Sequence, residues 1–322
     1  MNILKDILYK VHLLEVIGDT SITIDAIEFD SRNVKKNTLF VATKGVHADG
    51  HQYISKAIEL GAIAIICEEI PAERESNIIY IKVQDSTESL GFVAANFYDN
   101  PSNELTLIGI TGTNGKTTCA TLSFDLFTKL GYHCGLISTV VNKIGSTEIK
   151  ATHTTPNAVA LNKLLAEMVE DGVSYCFMEV SSHAIVQNRI AGVNFKLGVF
   201  TNITHDHLDY HGTFKEYINA KKLFFDHLSS NSIALYNADD KNGSVMMQNT
   251  SAKTYGFAQK SMSDFKVKVV ENQLSGLVLD IDGTELWSSL IGSFNAYNIL
   301  TVYASAILLD QDKLEILTAL SE

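Results

Sequence analysis

The sequence is short of several features that mark special classes of protein. It has 3 prolines and 1 tryptophan among 322 residues, and no tract of biased composition. Collagen-like and intrinsically disordered classes are excluded, because 46% of the residues are apolar and 19% are charged. Acidic residues number 37 and basic residues 25, which gives a net charge of −12. Because so acidic a chain binds polyanions poorly, we expect no nucleic-acid partner.

Long hydrophobic segments are also missing. The longest apolar runs without a charge, at 61–67 and 300–309, are shorter than the ~20 residues that a membrane-spanning helix requires. Asp6 and Glu15 interrupt the N-terminal segment where a signal peptide would have an unbroken apolar region. We therefore expect no membrane insertion and a cytoplasmic location.

Cysteine is sparse and scattered. No two of the four cysteines form a C-x-x-C pair: Cys67, Cys119, Cys134 and Cys176. This spacing favours buried, reduced thiols over a disulfide framework or a zinc site.

Apolar segments rich in isoleucine and valine alternate with helical patterns along the whole chain. This alternation predicts an α/β fold with a mainly parallel sheet. A polar turn at 99–104, which contains Pro101, is the best candidate boundary. We expect a small N-terminal α/β domain over 1–100 and a larger domain over 101–322.

A glycine-rich segment lies between a predicted strand at 105–110 and a predicted helix at 117–130. It consists of Gly112, Thr113, Asn114, Gly115, Lys116, Thr117 and Thr118. Glycines there let backbone N–H groups face an anion, a lysine can reach the terminal phosphates, and a threonine hydroxyl can bind Mg²⁺. Ile110 replaces the first glycine of the common P-loop pattern. The segment still predicts a P-loop NTPase-like domain whose mainly parallel sheet is flanked by helices.

Two further groups of side chains suggest metal chemistry. Glu179 ends a predicted strand at 174–180, and a carboxylate there suits Mg²⁺. His205, His207 and Asp209 resemble part of a binuclear zinc motif, although Tyr210 stands where its last histidine belongs. A metal-dependent hydrolase is therefore an alternative function, and a non-catalytic nucleotide-binding fragment is another.

Residues 111–118 resemble the ATP loop of the Mur ligases, the ATP-dependent amide-bond-forming enzymes of peptidoglycan precursor synthesis. That loop alone would also fit the folylpolyglutamate synthetases. Further segments resemble the Mur ligases that add the third peptide residue: 30–32, 45–50, 153–156, 179–183 and 206–212. The resemblance extends over essentially the whole chain.

The resemblance implies an acid–amino-acid ligase that acts on UDP-N-acetylmuramoyl-L-alanyl-D-glutamate (UDP-MurNAc-dipeptide). ATP would phosphorylate the side-chain carboxylate of D-glutamate, and the amine of an amino acid would then attack the acyl phosphate. The expected amino acid is meso-diaminopimelate, with L-lysine as the alternative. Positioning and charge neutralisation supply most of the catalysis in such transfers.

The resemblance also assigns roles to individual residues. The implied catalytic residues are Lys116, Lys221 and His207. Two Mg²⁺ ions would be held by Thr117, Glu179, His207 and Lys221, the last as N6-carboxylysine. The ATP contacts would include the loop from Gly112 to Thr118. Asn295 and Asn298, three residues apart at the start of a predicted helix, are placed either to reach an adenine edge of ATP or to cap that helix. Contacts to the UDP-sugar substrate would come from Ser31, His47, Thr154, Thr155, Ser181, Gln187 and Arg189.

The chain departs from the family pattern in length. Mur ligases have a third, C-terminal domain that binds the incoming amino acid, and this sequence stops at Glu322, about where that domain would begin. The resemblance therefore implies that this chain alone binds its ligands better than it turns them over.

Overall fold

The computed structural model describes residues 2–45, 48–204 and 208–321. Its contacts divide the described chain into two compact units. Unit 1 comprises residues up to 101 together with 156–167 and 187–193. Unit 2 comprises 102–155, 168–186 and 194 onwards.

Unit 1 is built on a five-stranded sheet within the described residues, in the order β1-β5-β4-β3-β2. Strands β2 to β5 are parallel, and β1 runs antiparallel to β5. Its helices are α1 (Leu4–Ile7), α2 (Ile54–Leu60) and α3 (Ser86–Phe97). Its strands are β1 (Leu13–Ile17), β2 (Ala26–Glu28), β3 (Thr38–Val41), β4 (Ala62–Cys67) and β5 (Ile79–Val83). Gly61 ends α2 in the left-handed conformation, with φ +113°, as glycine does at a helix C-terminus.

Unit 2 contains the remaining elements of the part of the chain that the structure describes. Its strands are β6 (Thr106–Thr111), β7 (Cys134–Ile137), β8 (Val141–Ile144), β9 (Thr147–Lys150), β10 (Tyr175–Glu179), β11 (Leu197–Phe200), β12 (Ile233–Asn237), β13 (Lys253–Ala258), β14 (Phe265–Gln273), β15 (Gly276–Ile281) and β16 (Thr284–Ser288). Its helices are α4 (Lys116–Lys129), α6 (Ser182–Val186), α7 (Leu208–His211), α8 (Phe214–Asp226), α9 (Gly243–Met246), α10 (Phe294–Leu308) and α11 (Lys313–Ser321). Helix α5 (Ala158–Glu170) begins in unit 1 and ends in unit 2.

The strands of unit 2 form one large sheet in the order β16-β15-β14-β13-β12-β11-β6-β10-β7-β8-β9. From β14 to β7 the neighbouring strands are parallel, whereas β8, β9, β15 and β16 extend the two edges in antiparallel pairing. Strand β6 lies inside the parallel part, between β10 and β11. Ligands bind at the carboxyl ends of such strands, so this order directs attention to the ends of β6, β10 and β11.

The α/β class and the mainly parallel sheet are confirmed, and so are several elements. The apolar run at 62–67 predicts a buried strand, and β4 has these bounds. The bounds of β6 and α4 each lie within a residue of the predicted ones. Thr213, with Glu216 three residues later, predicts a capping box at a helix start, and the two residues form it at the start of α8. The sequence did not predict the edge strands β8, β9 and β16, because each has only four or five residues and mixes polar with apolar side chains.

The two segments that the structure groups with unit 1 were not foreseen. The sequence predicts one domain over 101–322, whereas the contacts of the structure group 156–167 and 187–193 with unit 1. Ala158 packs in the same apolar cluster as Leu90 and Val93 of α3. In the second segment, Ala191 approaches Gly91 so closely that a Cβ on Gly91 would lie 2.6 Å from it. These contacts are tertiary, so no local sequence signal marks them.

All four cysteines are free and buried. Burial raises the pKa of the Cys67 and Cys134 thiols to about 11 and that of Cys119 to about 12. The pKa of Cys176 is raised by burial as well. Thiols of this kind are protonated at neutral pH and shielded from reagents.

Native protein should therefore be inert to a disulfide reagent at pH 8. We expect none of the four thiols to react within minutes in buffer, and all four to react after unfolding in guanidinium chloride. Spectrophotometric titration of the released thiolate measures both. Rapid labelling of a cysteine in the folded protein would contradict the buried placement.

No helix in the described ranges is long and apolar enough to cross a membrane.

Candidate functional site

The glycine-rich loop connects the end of β6 to the start of α4, at the carboxyl edge of the parallel sheet. Gly115 precedes the first residue of α4 with φ +86°, a left-handed conformation that glycine adopts without strain. A Cβ at Gly115 would lie 2.6 Å from Asn298 Oδ1 of α10. The loop therefore needs glycine at this position both for its backbone conformation and for the close approach of α10.

Two lysines contact the same carbonyl group of this loop. Lys116 Nζ donates to Gly112 O and to Thr113 O, at 2.9 Å each. Lys221 Nζ donates to Gly112 O at 3.0 Å and lies 4.8 Å from the ring centroid of Tyr217. Lys221 is only 1% exposed. Two of the residues predicted to be catalytic thus meet at the phosphate loop.

Glu179 ends β10 beside this loop and is completely buried, at 0% exposure. Register pairs it with Ile110 of β6. Its Oε1 accepts a hydrogen bond from Thr117 Oγ1 at 2.9 Å and from the Thr139 backbone N–H at 2.8 Å. Its Oε2 accepts from Thr139 Oγ1 at 3.2 Å. The structure therefore brings together two predicted metal ligands, Thr117 from the start of α4 and Glu179 from the end of β10.

Oxygen donors are the ligands that Mg²⁺ prefers, and it usually binds through one or two protein groups and the substrate phosphates. The Glu179 carboxylate and the Thr117 hydroxyl, 2.9 Å apart at the edge of a phosphate loop, are such a donor set. Among the described residues there is no cluster of three or more His, Cys, Asp or Glu that could hold a metal ion without other ligands. The arrangement fits a cation that is shared with bound phosphates.

The predicted substrate residues fall in both units. In unit 2, Thr155 Oγ1 donates to Glu179 O at 2.8 Å and accepts from Ser181 N at 3.1 Å, and Thr154 Oγ1 lies 3.1 Å from Thr139 Oγ1. The predicted metal ligand Glu179 and these three predicted substrate residues are thus contiguous.

In unit 1, the predicted substrate residues are Ser31, Gln187 and Arg189. Arg189 donates to Gln187 Oε1 through Nε at 3.0 Å and through Nη2 at 2.7 Å. Ser31 is buried at the start of a short 3-10 helix, at 8% exposure. The Arg189 guanidinium is therefore held by the side-chain amide of Gln187, and Ser31 lies in the first turn of a short helix.

The histidine-rich segment is only partly described. His205, His207 and the side chain of Asp209 lie outside the described residues, as does His47 of the predicted substrate set. His211 is buried, and its Nε2 lies 2.9 Å from Ser182 Oγ. The sequence predicts that His211 is hydrogen-bonding or exposed, and the structure has it buried and hydrogen-bonded.

Asn295 and Asn298 lie on one face of α10, and both are buried. Asn295 Nδ2 donates to Ile291 O at 2.9 Å, and Asn298 Nδ2 donates to Asn295 Oδ1 at 2.8 Å. Asn298 Oδ1 also accepts from Cys119 Sγ of α4 at 3.5 Å. Asn298 thus joins α10 to α4, and the adenine contact of the two asparagines stays a prediction.

Three residues of the site were not foreseen. Thr201 Oγ1 donates to Asn114 O at 2.6 Å, and Asn202 Oδ1 accepts from Asn114 N at 3.0 Å. Both follow β11, which the apolar run at 197–201 predicts as a strand, so polar side chains at the end of that strand were an available signal. Thr139 follows β7, which the sequence did not predict, so nothing in the sequence drew attention to it.

Asp239 holds the far side of α10 in place. Its carboxylate accepts three backbone N–H groups, from Gln259, Lys260 and Ser261 at 2.7, 2.9 and 2.8 Å. It also accepts from Tyr297 Oη of α10 at 2.8 Å. Burial alone would raise the pKa of Asp239, but these hydrogen bonds outweigh it and hold the pKa well below the ordinary 3.8.

Replacing Asp239 with asparagine should lower the free energy of unfolding at pH 7 by about 1–2 kcal/mol, because hydrogen bonds to a charged acceptor are lost. A depressed native pKa stabilises the protein above the unfolded value and loses that effect as pH falls through the native value. The difference between the wild type and Asp239→Asn should therefore shrink below about pH 4. Urea unfolding from pH 3 to 7 measures it, with Glu285→Gln on exposed β16 as the control; a gap that is constant with pH would contradict the assignment.

Comparison with known proteins agrees with this geometry. A family profile described as "Mur ligase middle domain" matches residues 110–306, and one described as "Mur ligase family, catalytic domain" matches 23–98. The fold and the phosphate loop define an α/β nucleotide-binding protein, and the chain belongs to the Mur ligase family.

The similarity to individual relatives is high. A protein of Cytophaga hutchinsonii named UDP-N-acetylmuramoyl-L-alanyl-D-glutamate--2,6-diaminopimelate ligase is 56% identical over 319 residues, covering 99% of this chain and 66% of the relative. A solved structure with the same protein name superposes with a TM-score of 0.86 at 22% identity, covering 100% of this chain and 66% of the other. The MurF ligase of Thermotoga maritima in complex with ADP has a TM-score of 0.59 at 20% identity, covering 91% of this chain and 65% of that one. The chain thus spans just under two thirds of the length of these proteins.

Proposed function

We propose that this chain carries the nucleotide site and the UDP-sugar-peptide site of a cytoplasmic, ATP-dependent ligase of peptidoglycan precursor synthesis. The ligase adds diaminopimelate to the D-glutamate of UDP-MurNAc-dipeptide. One observation carries the proposal: the hydroxyl of Thr117 in the phosphate loop lies 2.9 Å from the buried Glu179 carboxylate. The 56% identity to a diaminopimelate ligase supports the choice of substrate.

The side chains of the loop act by positioning charge. Lys116, whose Nζ now donates to loop carbonyls at 2.9 Å, would turn to the terminal phosphates of ATP. Backbone N–H groups at the start of α4 would face the same phosphates, which the positive end of the helix favours. The γ-phosphoryl group then passes to the D-glutamate carboxylate with release of ADP, and the amine of the amino acid displaces phosphate to form the amide.

Thr117 and Glu179 would hold one Mg²⁺, and His207 with carbamylated Lys221 would contribute to a second. Bound there, Mg²⁺ neutralises charge on the phosphates. Lys221 lies suitably for this role, because an N-carboxylated lysine keeps one N–H that can still donate to Gly112 O, now 3.0 Å away. The adjacent Lys222 pairs instead with Asp226, at 2.6 and 2.8 Å.

Calorimetric titration of the 322-residue chain tests the proposal. We expect binding of a non-hydrolysable ATP analogue with Mg²⁺, and binding of UDP-MurNAc-dipeptide that weakens when the ligand lacks D-glutamate. Absence of nucleotide binding would overturn the proposal. Bound zinc with hydrolysis that needs no ATP would support the alternative hydrolase, whose residues His205, His207 and Asp209 lie outside the described part.

A further inference from the structure

Thr139 lies between the proposed metal ligand and the proposed substrate site. Its backbone N–H donates to Glu179 Oε1 at 2.8 Å, and its Oγ1 lies 3.2 Å from Glu179 Oε2. The same Oγ1 lies 3.1 Å from Thr154 Oγ1. Thr139 is exposed and lies two residues after the end of β7, so its side chain is not part of the apolar core.

These distances place one hydroxyl group between two acceptors. A threonine hydroxyl carries a single proton, and an ionised carboxylate only accepts. Thr139 Oγ1 is the donor in both contacts, so when its single proton goes to Glu179, the contact with Thr154 persists only if Thr154 turns its own proton toward Thr139. Thr154 then presents only lone pairs to a ligand. When Thr139 donates to Thr154 instead, the proton of Thr154 is released toward the ligand.

We propose that Thr139 is a positioning residue that couples cation binding at Glu179 to substrate binding at Thr154. This inference rests on the proposed function, since it requires both ligands. A divalent cation on Glu179 reduces the negative charge that Oε2 offers to the Thr139 hydroxyl. Thr139 then donates to Thr154, which becomes a hydrogen-bond donor. A phosphate or carboxylate oxygen of the UDP-sugar peptide is bound better by a donor than by lone pairs.

The coupling between the cation and the substrate can be measured as a change in substrate affinity. The cation changes that affinity by the same factor by which the substrate changes the affinity for the cation. The affinity for UDP-MurNAc-dipeptide is measured by calorimetry with the ATP analogue present, once with Mg²⁺ and once with EDTA. We expect Mg²⁺ to tighten binding at least about fivefold in the wild type, the lower end of typical couplings between sites. In Thr139→Val the ratio of the substrate affinity with Mg²⁺ to that in EDTA should fall to about one. The reason is that the hydroxyl is lost while the backbone N–H to Glu179 stays.

The controls separate positioning from a structural effect. Thr139→Ser keeps the hydroxyl and should restore the ratio, whereas Thr147→Val on the exposed edge strand β9 should leave it unchanged. Thr154→Val should abolish the ratio, and adding Thr139→Val should change it no further. Thermal unfolding of each variant reports folding.

The outcomes distinguish this inference from the proposed function. A wild type that binds neither ligand overturns the proposed function, and the inference with it. A wild type that binds both ligands without coupling overturns the inference alone. Full coupling retained in a folded Thr139→Val variant does so as well.

Discussion

Replacing Lys116 with alanine is expected to weaken binding of the ATP analogue by about ten- to a hundredfold, because a charge-assisted contact to phosphate is worth about 1.5–3 kcal/mol. Its ammonium group already lies within the loop, 2.9 Å from the carbonyls of Gly112 and Thr113. A short rotation would exchange these carbonyls for phosphate oxygens. Titration calorimetry of the 322-residue chain with Mg²⁺ and the analogue gives the measurement.

Lys129→Ala is the matched control, because Lys129 occupies the last turn of the same helix α4. It removes the same charge at the opposite end, so nucleotide affinity should stay within about twofold. Lys116→Arg should also bind poorly, since a planar guanidinium does not replace a compact ammonium group in a tight loop. Wild-type affinity in a folded Lys116→Ala protein would remove this lysine from the nucleotide site.

Replacing Glu179 with glutamine should have a different consequence from replacing Lys116: Mg²⁺ should strengthen nucleotide binding much less than in the wild type. A glutamine oxygen can still accept from Thr117 Oγ1 and Thr139 N, which now lie 2.9 and 2.8 Å from Oε1. The fold should therefore survive. We expect the gain in nucleotide affinity on adding Mg²⁺ to fall by about tenfold or more, because a neutral amide is a poor ligand for this ion.

Without Mg²⁺, Glu179→Gln should no longer weaken nucleotide binding. The Glu179 carboxylate lies beside the loop that would hold the phosphates, and like charges repel. In EDTA, Glu179→Gln should thus bind nucleotide as tightly as the wild type or slightly more tightly, whereas Lys116→Ala binds weakly under both conditions. Glu104→Gln, at an exposed site before β6, is the control. Equal losses with and without Mg²⁺ would indicate that Glu179 only supports the loop.

The structure of the phosphate loop and its flanking elements could be predicted from local sequence. The apolar run before Gly112, the glycines and the helical pattern after Lys116 fixed a strand, a turn and a helix to within a residue. The capping box of Thr213 and Glu216 was readable for the same reason, since its hydrogen bonds join residues three apart.

The residues that contact the loop were harder to predict from the sequence. Glu179 was proposed from its position at a strand end and from the family resemblance, and the sheet order places it beside β6. The roles of the predicted site residues remain predictions until the titrations above are made.

The sequence by itself determined the α/β class, the phosphate loop and the family, because each depends on residues that are adjacent or regularly spaced. Only the tertiary structure decided that Lys116 and Lys221 share the Gly112 carbonyl, that Thr139 contacts Glu179, and that 187–193 belongs with unit 1. Lys221 and Gly112 are 109 positions apart, and Thr139 and Glu179 are 40 apart. Contacts over such separations are set by strand order and by packing across the sheet, and no local pattern of residues encodes either of these.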